Sequence, residues 1–347
     1  MTLDHEQSSN IANPDPAGLS IAIATGGGSE GLAATLESLA DCTIPEQLLS
    51  TAIIENGPPK GAEQIAERFK SNLKIEYIHT PEPNKSAALN HWLFSLKDNR
   101  FVFFTDDDMV FSPGILTAYL QAALGEKLGV VFGGEVKTRS DVEPAKELLP
   151  HLPSSMYGLS DNSSADNLRR MGGNFLGNNW AAFSDDVRRL GGFDARFGPG
   201  SKTRASGQES QMMKRMRAAG FDFRFVADAV AWHKVEAERY CAEFVIDRWY
   251  RAGIESGVAN RIACEKNDSA KSDVSILRRR TRIQAHQAIA TGARLVGRRD
   301  RYLRHAVSAA YGKGFLVGWG AGEQDGRELN LPYESCRTST SMNDLDS

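Results

Sequence analysis

Apolar and polar residues fall in blocks that predict an alternating strand and helix order. Leu19 to Thr25 is a β-rich run, followed by Gly26-Gly27-Gly28-Ser29-Glu30-Gly31 and then by Leu32, Leu36 and Leu39 at helical spacing. Thr51 to Ile54 gives a second strand ending at Glu55-Asn56-Gly57, a helix covers 61 to 71, and Lys74 to Ile78 gives a third strand. Ser86 to Leu96 reads as a helix. It leads to Phe101-Val102-Phe103-Phe104-Thr105, an apolar run that stops at three carboxylates, Asp106-Asp107-Asp108. This βαβαβαβ order predicts an α/β fold with a mostly parallel central sheet flanked by helices.

Past Asp108 the pattern loosens. Ile115 to Leu124 reads as helix, Val130-Val131-Phe132 as strand, and Thr138 to Arg170 as polar loop with one short helix near Ala145. Asn174 to Phe183 returns to the sheet and Asp185 to Leu190 is a helical turn. The glycine-rich stretch Phe197 to Gly207 has the composition of a mobile loop. Glu209 to Ala219 is a helix, Phe223 to Trp232 is a strand ending in His233, and helical regions over 238 to 256 and 275 to 318 follow. The expected plan is a disordered arm over 1–18, an α/β domain over 19–237, a basic helical extension over 238–320 and a disordered tail over 321–347.

Composition narrows the possibilities. With 41% apolar residues in 347, the chain can bury a sizeable core. No run approaches the roughly 18–20 apolar residues of a spanning helix, and Met1 to Asn10 has no signal-peptide core. Cys42, Cys241, Cys264 and Cys336 are scattered without a Cys-x-x-Cys pair, as expected of reduced thiols in a cytoplasmic protein. The net charge of −3 hides an asymmetry: between Lys271 and Lys313 eleven Lys or Arg face only Asp273 and Asp300. An acidic main body argues against nucleic acid as partner. The basic amphipathic segment over 275–313 leaves open an anionic membrane surface, a helical cap or a homo-oligomer face.

The carboxylates at the Phe101 strand end carry the chemistry. Adjacent acids repel, so a fold that gathers them where ligands bind an open sheet usually supplies a hard cation. Gly26, Gly28 and Gly31 also satisfy the G-x-G-x-x-G spacing, with Glu55 ending the next strand. That pattern supports a rival reading, an NAD-dependent oxidoreductase. Its weakness is that an unshielded pyrophosphate would be repelled by the Asp106 cluster.

The ordered set Leu19 to Thr25, Ile53-Ile54-Glu55-Asn56-Gly57, Lys85-Ser86-Ala87-Ala88-Leu89-Asn90, Asp106-Asp107-Asp108, Gly191-Gly192-Phe193-Asp194, Gly207-Gln208-Glu209 and Trp232-His233 resembles a family 2 glycosyltransferase of the GT-A fold. The resemblance implies a metal-dependent, inverting transfer from a nucleoside-diphosphate sugar, UDP-linked by preference, to a hydroxyl on a glycan, a lipid-linked acceptor or a small molecule. Ala24, Thr25 and Gly26 would then line the base, with Asn56 beside them and Glu55 accepting from the ring N–H. Lys85 would reach toward the donor phosphates, Asp106 and Asp107 would lie on the nucleotide, and Asp108 with His233 would hold Mn²⁺ or Mg²⁺. Glu209 would be the general base. Asn179, Trp180, Gln208 and Trp232 would lie on the acceptor or donor-sugar side, and Phe197 to Gly207 would form a lid. The chain departs from the family pattern in Gly26-Gly27-Gly28 for Tyr-Asn-Arg, Glu55 for Asp, and Gln208-Glu209 for Glu-Asp. A sugar nucleotidyltransferase and a non-catalytic nucleotide-sugar binding protein are the remaining alternatives.

Overall fold

The computed structural model describes residues 18–156, 158, 174–266 and 273–320. All of the expected arm except Gly18, and the whole expected tail, lie outside the described residues. Leading elements are β1 (Leu19–Thr25), α1 (Glu30–Ala40), β2 (Leu48–Asn56), α2 (Ala62–Glu67), α3 (Lys70–Leu73), β3 (Ile75–Thr80), α4 (Lys85–Ser95), β4 (Phe101–Thr105) and β5 (Met109–Phe111). They are followed by α5 (Ile115–Ala123), β6 (Val130–Arg139), β7 (Asn179–Phe183), α6 (Ser184–Arg189), α7 (Gln208–Ala218) and β8 (Asp222–Lys234). Helices α8 (Ala242–Lys266), α9 (Asp273–Leu295) and α10 (Arg299–Gly320) complete the described chain. The helix expected near Ala145 is instead a pair of 3₁₀ turns at Leu149–His151 and Ser154–Met156.

All eight strands form one sheet in the order β3-β2-β1-β4-β7-β6-β8-β5. The β3-β2-β1-β4 half is parallel throughout. Strand β7 runs antiparallel to both β4 and β6, and β5 runs antiparallel to β8. Strands β1 and β4 are buried along their whole length, as strands covered on both faces must be. Phe101, Phe103 and Phe132 are fully buried; each such side chain stabilises the fold by about 1.5–3 kcal/mol.

The short strand β5 is the element that the residue pattern does not announce. It follows β4 in the chain yet pairs at the far end of the sheet, so the sheet curls back on itself. Its outer edge is closed by α1: the amide of Met109 donates to Thr35 Oγ1 at 3.0 Å and that of Phe111 to Ser38 Oγ at 2.8 Å.

The C-terminal helices pack through small residues. A Cβ on Gly253 would lie 2.2 Å from the Tyr311 carbonyl oxygen, and one on Gly314 2.0 Å from that of Tyr250. Only glycine permits α8 and α10 to approach this closely, and the apolar side of α10 is therefore spent inside the protein. No described helix is long and apolar enough to cross a membrane. The stretch 197–207, expected as a free loop, is anchored instead. Phe197, Ser201 and Ala205 are buried, Ser86 Oγ donates to the Phe197 carbonyl at 2.8 Å, and Phe197 and Ala205 pack on Tyr250 and Ile254 of α8.

Candidate active site

The chain leaves β4 at Thr105, turns through Asp106-Asp107-Asp108 and enters β5. Because Met109 pairs with His233 in the β5–β8 ladder, the turn delivers Asp108 to that histidine. Asp108 Oδ2 lies 3.2 Å from His233 Nε2, and His233 Nδ1 lies 2.9 Å from the Ser155 carbonyl oxygen. A carbonyl can only accept, so Nδ1 carries the hydrogen, and in the neutral ring Nε2 presents a lone pair to the carboxylate. That arrangement is favourable only with a proton or a cation between them. Asp108 Oδ1 is buried and has no hydrogen-bond partner. An orphaned carboxylate oxygen beside an imidazole lone pair fits a divalent cation. Among the described residues no group of three or more His, Cys, Asp or Glu surrounds one point, so ligand oxygens and water would complete the set. Burial works against the Asp108 charge, but the hydrogen bond and charge of His233, then Arg239, hold its pKa below the usual range. Burial also opposes a charge on His233, and Asp108 outweighs it, so that pKa is raised.

A second chain of charges adjoins the first. Lys85, in the first turn of α4, places Nζ 2.5 Å from Asp106 Oδ1 and 3.0 Å from Glu209 Oε1. Gln208 Nε2 donates to the same Glu209 oxygen at 2.8 Å. Burial opposes the Lys85 charge, but Asp106 and Glu209 overcome it and its pKa is raised. For Glu209 burial raises the pKa, Lys85 pulls it down and Asp106 pushes it up again; the net direction is upward. Gly177 makes room for this side chain, since a Cβ there would lie 2.7 Å from Glu209 Cδ.

At the end of β1, Thr25 Oγ1 donates to Asp107 Oδ2 at 2.5 Å, which ties the carboxylate turn to the glycine turn. Burial raises the Asp107 pKa. Asn56 Nδ2 donates to the Thr25 carbonyl at 2.7 Å, Ala24 and Thr25 are buried, and Gly26 faces open space. Ala24, Thr25, Gly26, Asn56, Asp106 and Asp107 thus converge at one sheet edge.

Four expected contacts are corrected by the structure. Glu55 is fully buried, with Oε1 accepting from the Lys60 amide and Oε2 from Tyr77 Oη, both at 2.6 Å, so it faces the protein and not a ring N–H. Asn179 is also fully buried. It accepts from Tyr119 Oη at 2.7 Å and donates to the Glu135 and Ala229 carbonyls at 2.8 and 2.9 Å, which bridges the register break between β6 and β8. Trp180 has no exposed surface and stacks on Phe104 at 4.5 Å, a core position. Trp232 alternates with His233 along β8 and therefore faces the other side of the sheet, near Lys137.

For a similar reason the glycine turn does not hold a pyrophosphate at Gly28. A Cβ on Gly28 would lie 2.5 Å from the Gly61 carbonyl, and the Gly28 amide donates to the Lys60 carbonyl at 3.1 Å. The protein's own 60–61 segment occupies the approach that a dinucleotide fold reserves for pyrophosphate. With Glu55 also engaged, both supports of the oxidoreductase reading are gone.

Arg239 is a residue that the pattern did not single out. From a 3₁₀ turn after β8 it lies 3.8 Å from Asp108 Oδ2, and only its basic character six residues past His233 could have marked it.

Residues 20–180 match the family model for glycosyl transferase family 2. Over this stretch, 161 of the 347 residues, the chain is similar to glycosyl transferase family 2. The match covers β1 to the start of β7 and includes Lys85 and Asp106 to Asp108; Glu209 and His233 follow it. No curated protein sequence matches the chain. Solved structures with a similar fold include the mannosyltransferase PcManGT from Pyrobaculum calidifontis in complex with GDP-Man and Mn²⁺, at 15% identity over 90% of this chain and 76% of that one, with a TM-score of 0.49. Another is GalNAc-T7 with UDP, GalNAc and Mn²⁺, at 12% identity over 72% of this chain and 51% of that one, with a TM-score of 0.47. In outline the architecture is the expected one: an α/β fold with one central sheet flanked by helices, followed by C-terminal helices.

Proposed function

We propose that the enzyme transfers a sugar from a nucleoside-diphosphate sugar, UDP-linked by preference, to an acceptor hydroxyl with inversion at the anomeric carbon. The observation that carries this reading is the linkage of Glu209 through Lys85 to Asp106, which puts one largely buried carboxylate of raised pKa beside the acids of the strand end. Such a group is suited to take a proton from a hydroxyl near neutral pH. Its Oε1 is engaged by Lys85 and Gln208, so the proton would go to Oε2.

Each remaining acid has another task. Asp107 holds Thr25 at the base side, where Ala24, Gly26 and Asn56 would line the ring. Asp106 lies toward the ribose and phosphates and keeps Lys85 oriented. Asp108 and His233 would hold the Mn²⁺ or Mg²⁺. When bound, that ion would supply positive charge to the departing diphosphate. Arg239 adds a second positive charge on the same side. With the other acids engaged, Glu209 serves as base for a single in-line displacement, and that geometry inverts the configuration.

The test is thermal unfolding with UDP, GDP or NAD, each with Mn²⁺ and with EDTA. A nucleotide at 100 times its Kd stabilises the native state by about 2.7 kcal/mol. UDP should raise the melting temperature only with Mn²⁺. Stabilisation by NAD regardless of metal would overturn the reading.

A further inference from the structure

Apart from the sheet edge, the helical extension holds a cleft of about 700 Å³ between α8, α9, α10 and the turn Leu149–His151. That volume lies within the range of ligand sites, roughly 300–1,000 Å³. Arg278, Arg279 and Arg282 line it from α9 and Arg304 from α10, and among the described residues no Asp or Glu lines it. Among the described residues no carboxylate pairs with Arg278, Arg282 or Arg304. The lining is also apolar in part: Trp249 and Tyr311 meet edge to face at 6.3 Å, and Ile283 and Val307 line the same cleft.

Arginines that serve only solubility spread over convex surface and pair with acids. Here four guanidinium groups from two helices line one cleft, Arg279 lying 3.7 Å over the Phe315 ring, and among the described residues none has a carboxylate partner, so a bound anion would relieve their repulsion. The planar fork of arginine matches phosphate oxygens in a two-point contact. The local field is already felt by His151, whose pKa is lowered first by burial and then by Arg304. The aromatic rings of the lining would pack against an apolar or ring-bearing portion of the same ligand.

We propose that this cleft binds a phosphate or diphosphate group carried on a molecule with an apolar or ring-bearing part. One short segment of chain joins it to the candidate active site. Trp249 Nε1 donates to the His151 carbonyl at 2.7 Å, and four residues further on Ser155 holds His233. A ligand in the cleft therefore rests on the segment that orients that histidine.

Two probes test the site on the full chain in EDTA at constant ionic strength: inorganic pyrophosphate by calorimetry, and flotation with phosphatidylcholine vesicles with and without phosphatidic acid. The wild type should bind at least one of them. The triple variant Arg278→Gln, Arg282→Gln, Arg304→Gln should bind at least about tenfold more weakly. Ser308→Glu, which adds a negative charge to the same cleft, should do likewise, with circular dichroism and melting temperature reporting that both variants fold. Binding to vesicles alone assigns a lipid headgroup; binding to pyrophosphate assigns a soluble phosphate ligand. Failure of the wild type to bind either probe, or undiminished binding by both variants, overturns the proposal.

Discussion

At the end of β2, Glu55 has both carboxylate oxygens satisfied by Lys60 and Tyr77 and has no exposed surface. At the end of β4, in the same sheet, Asp108 keeps one buried oxygen without a partner and faces an imidazole lone pair with the other. Both acids lie where a strand of the sheet gives way to a turn, and by residue type they look equally functional. What separates them is whether the fold satisfies them. A buried acid with all its hydrogen bonds made is a structural tie, whereas one left incomplete stores an interaction for something that binds later.

The sharpest way to break this comparison is at Glu209, the third acid of the set. Glu209→Gln keeps the shape and the contact with Lys85 but cannot take a proton. Turnover should fall by about 10²- to 10⁴-fold with the melting temperature little changed; transfer at the wild-type rate would remove Glu209 from the mechanism. Asp108→Asn addresses the unsatisfied acid directly. The Mn²⁺-dependent part of UDP stabilisation should vanish while the metal-free melting temperature is kept or raised, because a buried charge has been removed. A UDP response that still needs Mn²⁺ would place the cation elsewhere.

Tyr77→Phe makes the opposite cut. It leaves Glu55 Oε2 buried without its donor and should cost about 1–3 kcal/mol of stability, read in denaturant unfolding, with turnover per folded molecule unchanged. A loss of activity without loss of stability would return Glu55 to the nucleotide site.

The same contrast explains how much was legible in the residues. Leu19 to Thr25 and the strand from Phe101 to Thr105 were readable because continuous β-branched and aromatic runs bounded by glycine or aspartate admit few alternatives. Lys85, Asp106, Asp108, Gln208, Glu209 and His233 were singled out, and the fold brings them to one edge. Glu55 and Asn179 were misassigned because their partners Tyr77, Tyr119 and Ala229 are distant in sequence. In a strand buried on both faces, as β7 is, period two does not tell which side meets the site, so Trp180 could not be separated from core. The three residues of β5 carry too little pattern to be seen, although they deliver Asp108 to His233.

The smallest effect is the most specific one, because it concerns the tuning of Glu209 and leaves the group itself in place. A base must be deprotonated to act, so kcat/KM should rise with pH through the pKa of Glu209. Burial, then Lys85 in the opposite sense, then Asp106 set that pKa above the ordinary glutamate range, and the acid limb should lie correspondingly high. Lys85→Met removes the charge that favours the carboxylate, so the limb should move further up. The plateau rate should fall as well, through loss of Lys85 from the phosphate side. Asp106→Asn removes a repelling charge and should move the limb down. If the two substitutions shift the limb in the same direction, or leave it where it was, the titrating base is not the carboxylate that Lys85 joins to Asp106.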